Sequence, residues 1–210
     1  DTFNGLKSGA SDRWNIGYEI SNIKSNYPKG TYPMNFVTNH DENSWNGTEY
    51  ERLGSAAAVR AASVISFTLP GAPLLYTGQE VGMNKALKFF EKDQVDYPAT
   101  TSPMTPFFTK LIELKTKSPA LAVGAAAGSI AEVRTSRNVV TAYARAAGKA
   151  KVLVAVNLSG KATSVKLSWS KNAGTYFDYA TNKSVKIASS QTITLPAWGY
   201  KIYSTTKLTN

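Results

Sequence analysis

Hydrophobic and polar positions along the chain follow two regimes. Up to about residue 120, apolar residues recur at helical spacing or gather in short unalternated runs; beyond it they alternate. From Ser11, the positions Ile16, Ile20, Ile23 and Tyr27 predict a helix that Pro28 and Gly30 end, after a Gly- and Ser-rich loop over residues 1–10. Met34, Phe36 and Val37 follow Pro33 in a run too short for a helix, which predicts a strand running out into Asn39, His40, Asp41 and Glu42. Thr48 and Glu51 form a capping box. The stripe Leu53, Ala57, Ala61, Val64 and Ile65 then predicts a helix of about twenty residues, stopped by Pro70-Gly71. Leu74, Leu75 and Tyr76, without polar alternation, suit a parallel strand covered on both faces. Thr105-Pro106 reads as the N-cap and first residue of a helix carrying Phe107, Phe108, Leu111, Ile112 and Leu114, which ends near Lys117 before Ser118-Pro119.

From about residue 121 the period becomes that of strands. Candidates are residues 130–135, a segment around Val139–Arg145, 152–158, 164–169, 175–179, 184–187, 192–195 and 200–204. Turns at Ala147-Gly148, Ser159-Gly160 and Ala173-Gly174 separate several of them. The expectation is an antiparallel sandwich of about eight strands. No internal repeat of solenoid length is evident.

Composition narrows the class. A hydrophobic fraction of 42% suits a globular protein of one or two domains. No apolar run approaches the ~18 residues of a membrane span. Without cysteine, neither a disulfide nor a thiolate metal site can form. The opening Asp1-Thr-Phe-Asn-Gly is not a signal peptide and reads as the inside of a longer protein. The formal net charge of +10 raises the prior for an anionic partner, but no basic run and no nucleic-acid motif accompanies it, so solvated lysines are the favoured explanation.

Candidate chemistry concentrates at Asn39-His40-Asp41-Glu42. The one histidine stands beside two carboxylates where a strand ends, and barrel enzymes carry their catalytic groups at the carboxyl ends of strands. The same residues can also serve as turn caps. Trp45 is either a platform for the apolar face of a sugar or a packed core residue. Glu91, Asp93 and Asp96 lie within six residues but lack the glycine and final glutamate of a calcium loop, which favours a solvated or salt-bridged loop. Asn46, Asn157 and Asn182 open formal glycosylation sequons.

The stretch FVTNHDENSW, followed after a helix by GAPLLYTGQE, resembles the end of the catalytic barrel of the α-amylase family of glycoside hydrolases. The first stretch matches the motif at the seventh barrel strand and the second that at the eighth. The resemblance continues through FFEKDQVDY and a closing helix into a C-terminal β-domain, and covers nearly all of the chain after residue 30.

It implies an α/β plus all-β architecture. Residues 1–120 would be the C-terminal portion of a (β/α)₈ TIM barrel, about strands 7 and 8 with their helices. Residues 121–210 would be an antiparallel β-sandwich domain. The implied activity is retaining cleavage of α-1,4-glucosidic bonds in starch or maltooligosaccharides. Asp41 matches the family's transition-state-stabilising carboxylate and His40 its sugar-binding histidine, with Asn39 and Trp45 as further substrate-binding residues.

The family's nucleophile, general acid and usual calcium ligands have no counterpart here. No cofactor or metal is therefore expected within this chain, and calcium would belong to the complete enzyme. The implied partners are an α-glucan or maltooligosaccharide and the missing N-terminal barrel segment, in the same or a separate chain, with neither nucleic acid nor membrane. The implied location is extracellular or periplasmic, in a bacterium. A non-catalytic polysaccharide-binding module is the alternative; it would use exposed aromatics of the β-domain, for which Trp169, Tyr176, Tyr179 and Trp198 are the candidates, most of them expected in the core.

Overall fold

The computed structural model of the chain describes residues 2–98 and 100–209. Helix α1 spans Arg13–Asn26, and Asp12 caps it in a reciprocal box with Asn15. Ile16 and Ile20 are buried as the spacing predicts, whereas Tyr27 lies exposed beyond the helix end.

Strand β1 is only Met34–Asn35 and pairs in parallel with β2, Ala72–Pro73. The amides of Ala72 and Leu74 donate to Pro33 O and Asn35 O at 2.9 and 2.8 Å. Leu74 therefore closes the pair, and Leu75 and Tyr76 lead out of it, so the second strand lies earlier than the apolar run suggested.

Between these strands a short helix, α2, His40–Trp45, forms where a loop was expected. The expected long helix is two, α3 Glu49–Leu53 and α4 Ala56–Thr68. Thr48 caps α3 through the predicted box with Glu51. Gly54 ends α3 at φ 86°, a conformation that costs other residues free energy, and Ser55 restarts the chain by capping α4. Helix α4 is buried nearly all round, not along one stripe.

Helix α5 spans Met104–Lys117, one turn's fraction earlier than the expected Thr105-Pro106 start. The Thr105 hydroxyl donates to Glu80 O at 3.0 Å instead of capping its own helix.

Nine strands follow: β3 Ser129–Glu132, β4 Arg134–Thr135, β5 Val140–Ala147, β6 Ala150–Asn157, β7 Thr163–Ser168, β8 Gly174–Asp178, β9 Ser184–Ile187, β10 Ser190–Leu195 and β11 Tyr200–Ser204. Six form an antiparallel sheet in the order β3-β5-β6-β11-β8-β9, and three form a second sheet in the order β10-β7-β4. The expected strand 130–135 is divided at Val133, where the chain passes from the larger sheet to the smaller.

The two sheets close over Val140, Leu153, Val165, Leu167, Trp169, Tyr176 and Leu195. The larger sheet's other face shares a core with the helices, in which Val152, Val154 and Ile202 join Val64, Ile65 and Leu111. The layers thus run helices, six-stranded sheet, three-stranded sheet.

Charge stitches the first two layers together. The fully buried Arg145 of β5 donates to Thr68 O at the end of α4 (2.8 Å) and to Gly128 O and Ser129 O (both 3.3 Å). Tyr143 shares a 2.6 Å hydroxyl contact with Thr68. A cation at a helix C-terminus satisfies carbonyls that have no partner within the helix.

Candidate active site

Asn39, His40 and Asp41 leave β1 as the cap and first turn of α2, not as an open loop. Asn39 is the cap, its side-chain oxygen accepting from Glu42 N at 2.8 Å. With that carbonyl engaged, Asn39 holds the turn. His40 and Asp41 then project side by side, Nε2 to Oδ2 at 3.6 Å, with 65% and 58% of their side chains exposed. The first turn of α2 therefore presents one carboxylate and one imidazole to solvent.

Glu42 points the other way. Its carboxylate pairs with Arg52 of α3 at 3.1 Å and accepts from Asn46 Nδ2 at 3.2 Å. Arg52 also donates to Val37 O at 2.7 Å and to Asn4 Oδ1 at 3.3 Å. One guanidinium fork thus ties the segment after β1, the first turn of α2 and the N-terminal turn. Glu42 is a structural partner, not a solvent-facing bystander.

Trp45 is exposed and is not a core residue. Its ring lies 5.2 Å from Phe89 and 6.2 Å from Phe90, and Phe89 stacks on His40 at 5.9 Å. Phe90 is 86% exposed. Buried Asn43 brings these rings together: it donates to Lys85 O and accepts from Leu87 N, at 3.1 and 2.8 Å. Ser44 adds a 2.7 Å bond to Leu87 O. Sequence reasoning passed over Phe89 and Phe90. The paired aromatics within FFEKD were the available signal, but only the Asn43 tether shows where they go.

Glu49 was also passed over. It opens α3, is 2% exposed, and its Oε1 has no protein partner. Burial pushes its carboxyl up to about 7, against the pull of its own amide and of Arg52.

The carboxylates of residues 91–96 do not fit a cation site. Lys88 holds Glu91 at 2.6 Å, and Lys85 holds Asp93 at 2.7 Å and Asp96 at 3.8 Å. The Lys85 ammonium and two backbone amides keep Asp93 down at about 2. Among the described residues no cluster of three His, Asp or Glu side chains could hold a metal ion, and no helix is long and apolar enough to cross a membrane.

Three of the four aromatics considered for sugar binding by the β-domain are core: Trp169 is fully buried and Tyr176 and Tyr179 nearly so. Trp198 is half-buried. Of the sequon asparagines, Asn157 is fully buried and Asn46 is exposed.

The family described as "Alpha-amylase SusG C-terminal domain" matches residues 140–199. A curated relative, the alpha-amylase MalA of Haloarcula japonica, is 32% identical over 143 residues, covering 67% of this chain and 20% of its own length. Among solved structures, the noncanonic maltogenic alpha-amylase AmyB of Thermotoga neapolitana superimposes with TM-score 0.79 at 20% identity, over 96% of this chain and 48% of AmyB. The cyclomaltodextrin glucanotransferase CldA does so with TM-score 0.75 at 20% identity, over 99% of this chain and 43% of CldA. The chain thus spans about half the length of these solved structures and a smaller part of the curated relative. In its domain match, its relative and its fold, the chain is similar to the α-amylase family of glycoside hydrolases, and its fold is that of the C-terminal region of such enzymes.

Proposed function

We propose that this chain is the C-terminal part of an enzyme that cleaves α-1,4-glucosidic bonds of starch or maltooligosaccharides with retention. In this reading residues 1–120 complete the catalytic barrel and residues 121–210 form its β-domain. The observation that carries it is the solvent-facing pair His40–Asp41 in the first turn of α2, the next element after the parallel strand β1. The reacting sugar gains positive charge as its glycosidic bond breaks. An anion beside it stabilises that charge more than the neutral ground state, and this difference acts on the rate. Asp41 supplies that anion. His40 donates a hydrogen bond to the bound sugar, Asn39 fixes the turn that aims both, and Trp45 offers a ring face to the next sugar along.

The nucleophile and the general acid that such chemistry needs come from the barrel segment that this chain does not contain. No calcium role falls to this chain's own residues; a calcium ion, if used, belongs to the rest of the enzyme. The reading puts the enzyme outside the bacterial cytoplasm, where polymeric glucan is met. The 210-residue chain alone is expected not to turn over starch, and turnover by it, with contaminants excluded, would overturn the division of roles.

The test is kinetic, in the complete enzyme. Asp41→Asn keeps the side chain's size and removes its charge, so kcat should fall by about 10³ or more, roughly 4 kcal/mol. His40→Ala should raise KM as well as lower kcat, because a ground-state hydrogen bond is lost. Glu91→Gln, which only breaks an exposed pair with Lys88, serves as the control and should stay within about twofold. Near-normal turnover by Asp41→Asn would end this assignment.

A further inference from the structure

The chain's net charge is not shared between its halves. Residues 1–120 carry twelve basic and twelve acidic side chains, whereas residues 121–210 carry twelve basic ones against only Glu132 and Asp178, so the whole +10 lies in the β-domain. Arg145 is buried in the layer interface and Asp178 is paired with Lys201 at 3.4 Å, so neither shapes the outer surface.

One face of this domain is set apart. The three-stranded sheet β10-β7-β4 turns Val165, Leu167 and Leu195 inward, and its other side is the layer farthest from the helices. Strand alternation places only polar residues there, in cross-strand rows. Arg134 stands opposite Ser168, which stands opposite Ser190. Lys166 stands opposite Thr192, and its amide donates to Ser136 Oγ at 3.0 Å. Ser164 stands opposite Thr194, and Arg137 Nε donates to Ser164 O at 3.4 Å. Arg134, Arg137 and Lys166 are all exposed. Among the described residues no acid belongs to these three strands; Glu132 lies on the other sheet, its carboxylate against Gly17 of α1.

We propose that this face is a docking surface for an acidic polysaccharide. Its charge complements a polyanion, and arginine's planar fork matches carboxylates. Its rows of hydroxyls match the hydroxyls of a glycan. It carries no exposed aromatic on which bases could stack and no apolar side chain to enter a bilayer, which a single-stranded nucleic acid and a membrane interface respectively require. The surface is independent of the chemistry assigned to Asp41. It would hold the chain on a carboxylate-bearing matrix while the helical side stays free.

Affinity electrophoresis of the full chain through gels containing polygalacturonate tests this, with amylose gels as the neutral comparison. Retardation by polygalacturonate is expected, with affinity falling about tenfold or more between about 50 and 200 mM salt. The combined variant Arg134→Gln, Arg137→Gln, Lys166→Gln should lose about tenfold or more. Removing three exposed cations elsewhere, by Lys24→Gln, Lys29→Gln and Lys92→Gln, should change affinity less than about twofold. The single reversal Lys166→Glu repeats the test with minimal change to the fold. Absence of retardation, equal losses in the two triple variants, or equally strong retention by double-stranded DNA or phosphatidylserine vesicles would each overturn the proposal.

Discussion

At the scale of single residues, the site depends on which carboxylates face water and which are spent on structure. Asp41 faces water. Glu42, next in sequence, is bound to Arg52, which also holds the Val37 carbonyl. Arg52→Ala should therefore lower stability by about 1–3 kcal/mol, since it takes the cation from a half-buried carboxylate and the donor from the Val37 carbonyl. In the complete enzyme it should also lower kcat about tenfold through misplacement of the turn. Denaturant melts and steady-state kinetics on the same preparation separate the two effects, and unchanged kcat per folded molecule would show that the turn holds without the clamp.

Glu49 makes a prediction with a sign. Its folded pKa, about 7, lies above the ordinary carboxyl value of 4.5. Below pH 4.5 both folded and unfolded chains carry the proton. As pH rises toward 7 the unfolded chain ionises first, so folding loses up to about 3 kcal/mol. Glu49→Gln should accordingly raise Tm at pH 8 and make little difference at pH 4. A stability difference that does not vary with pH would mean that the carboxyl is not desolvated.

At the scale of elements, the cap residues and one glycine decide where helices begin and end. Thr48 accepts from Glu51 N at 3.2 Å and donates to Asn84 Oδ1 at 2.6 Å, so Thr48→Ala should cost about 1 kcal/mol or slightly more. Gly54→Ala should also cost about 1 kcal/mol. The cause is its left-handed φ and not crowding, because the nearest atom to an added methyl is Lys7 Cγ at 3.4 Å. Urea titration of each variant against the parent checks both values. The break at Gly54-Ser55 was legible as Gly followed by a capping residue, yet the apolar stripe running across it suggested one helix. A helical period continues through a two-residue interruption when both helices pack on the same core.

At the scale of the molecule, the helices and the β-domain share a core and a buried polar seam. Arg145 reaches out of β5 to three carbonyls, one of them at the end of α4. Arg145→Met keeps the apolar bulk but leaves those carbonyls without their donor in a dry interface. Stability should fall by about 3 kcal/mol or more. If the seam couples the layers, the parent chain should melt in one transition and the variant in two. A single calorimetric transition in the variant, unshifted from the parent, would show that apolar packing alone joins them.

The sequence by itself determined what is local. Alternation against helical period separated the strand-rich half from the helical one, because side-chain direction repeats every two residues in a strand and every 3.6 in a helix. Two motif stretches in order carried the barrel resemblance, and the spacing of Glu91, Asp93 and Asp96 favoured a solvated or salt-bridged loop. Four features belong to the tertiary structure alone. They are the division of residues 130–135 between two sheets, the clamp of Arg52 on Glu42 and Val37, the desolvation of Glu49, and the meeting of Phe89 and Phe90 with Trp45. Each joins groups distant in the chain or depends on what covers a residue, and neither is encoded in the period of nearby positions. Whether a carboxylate does chemistry, pairs with a cation or sits protonated in the core depends on the groups that folding brings around it.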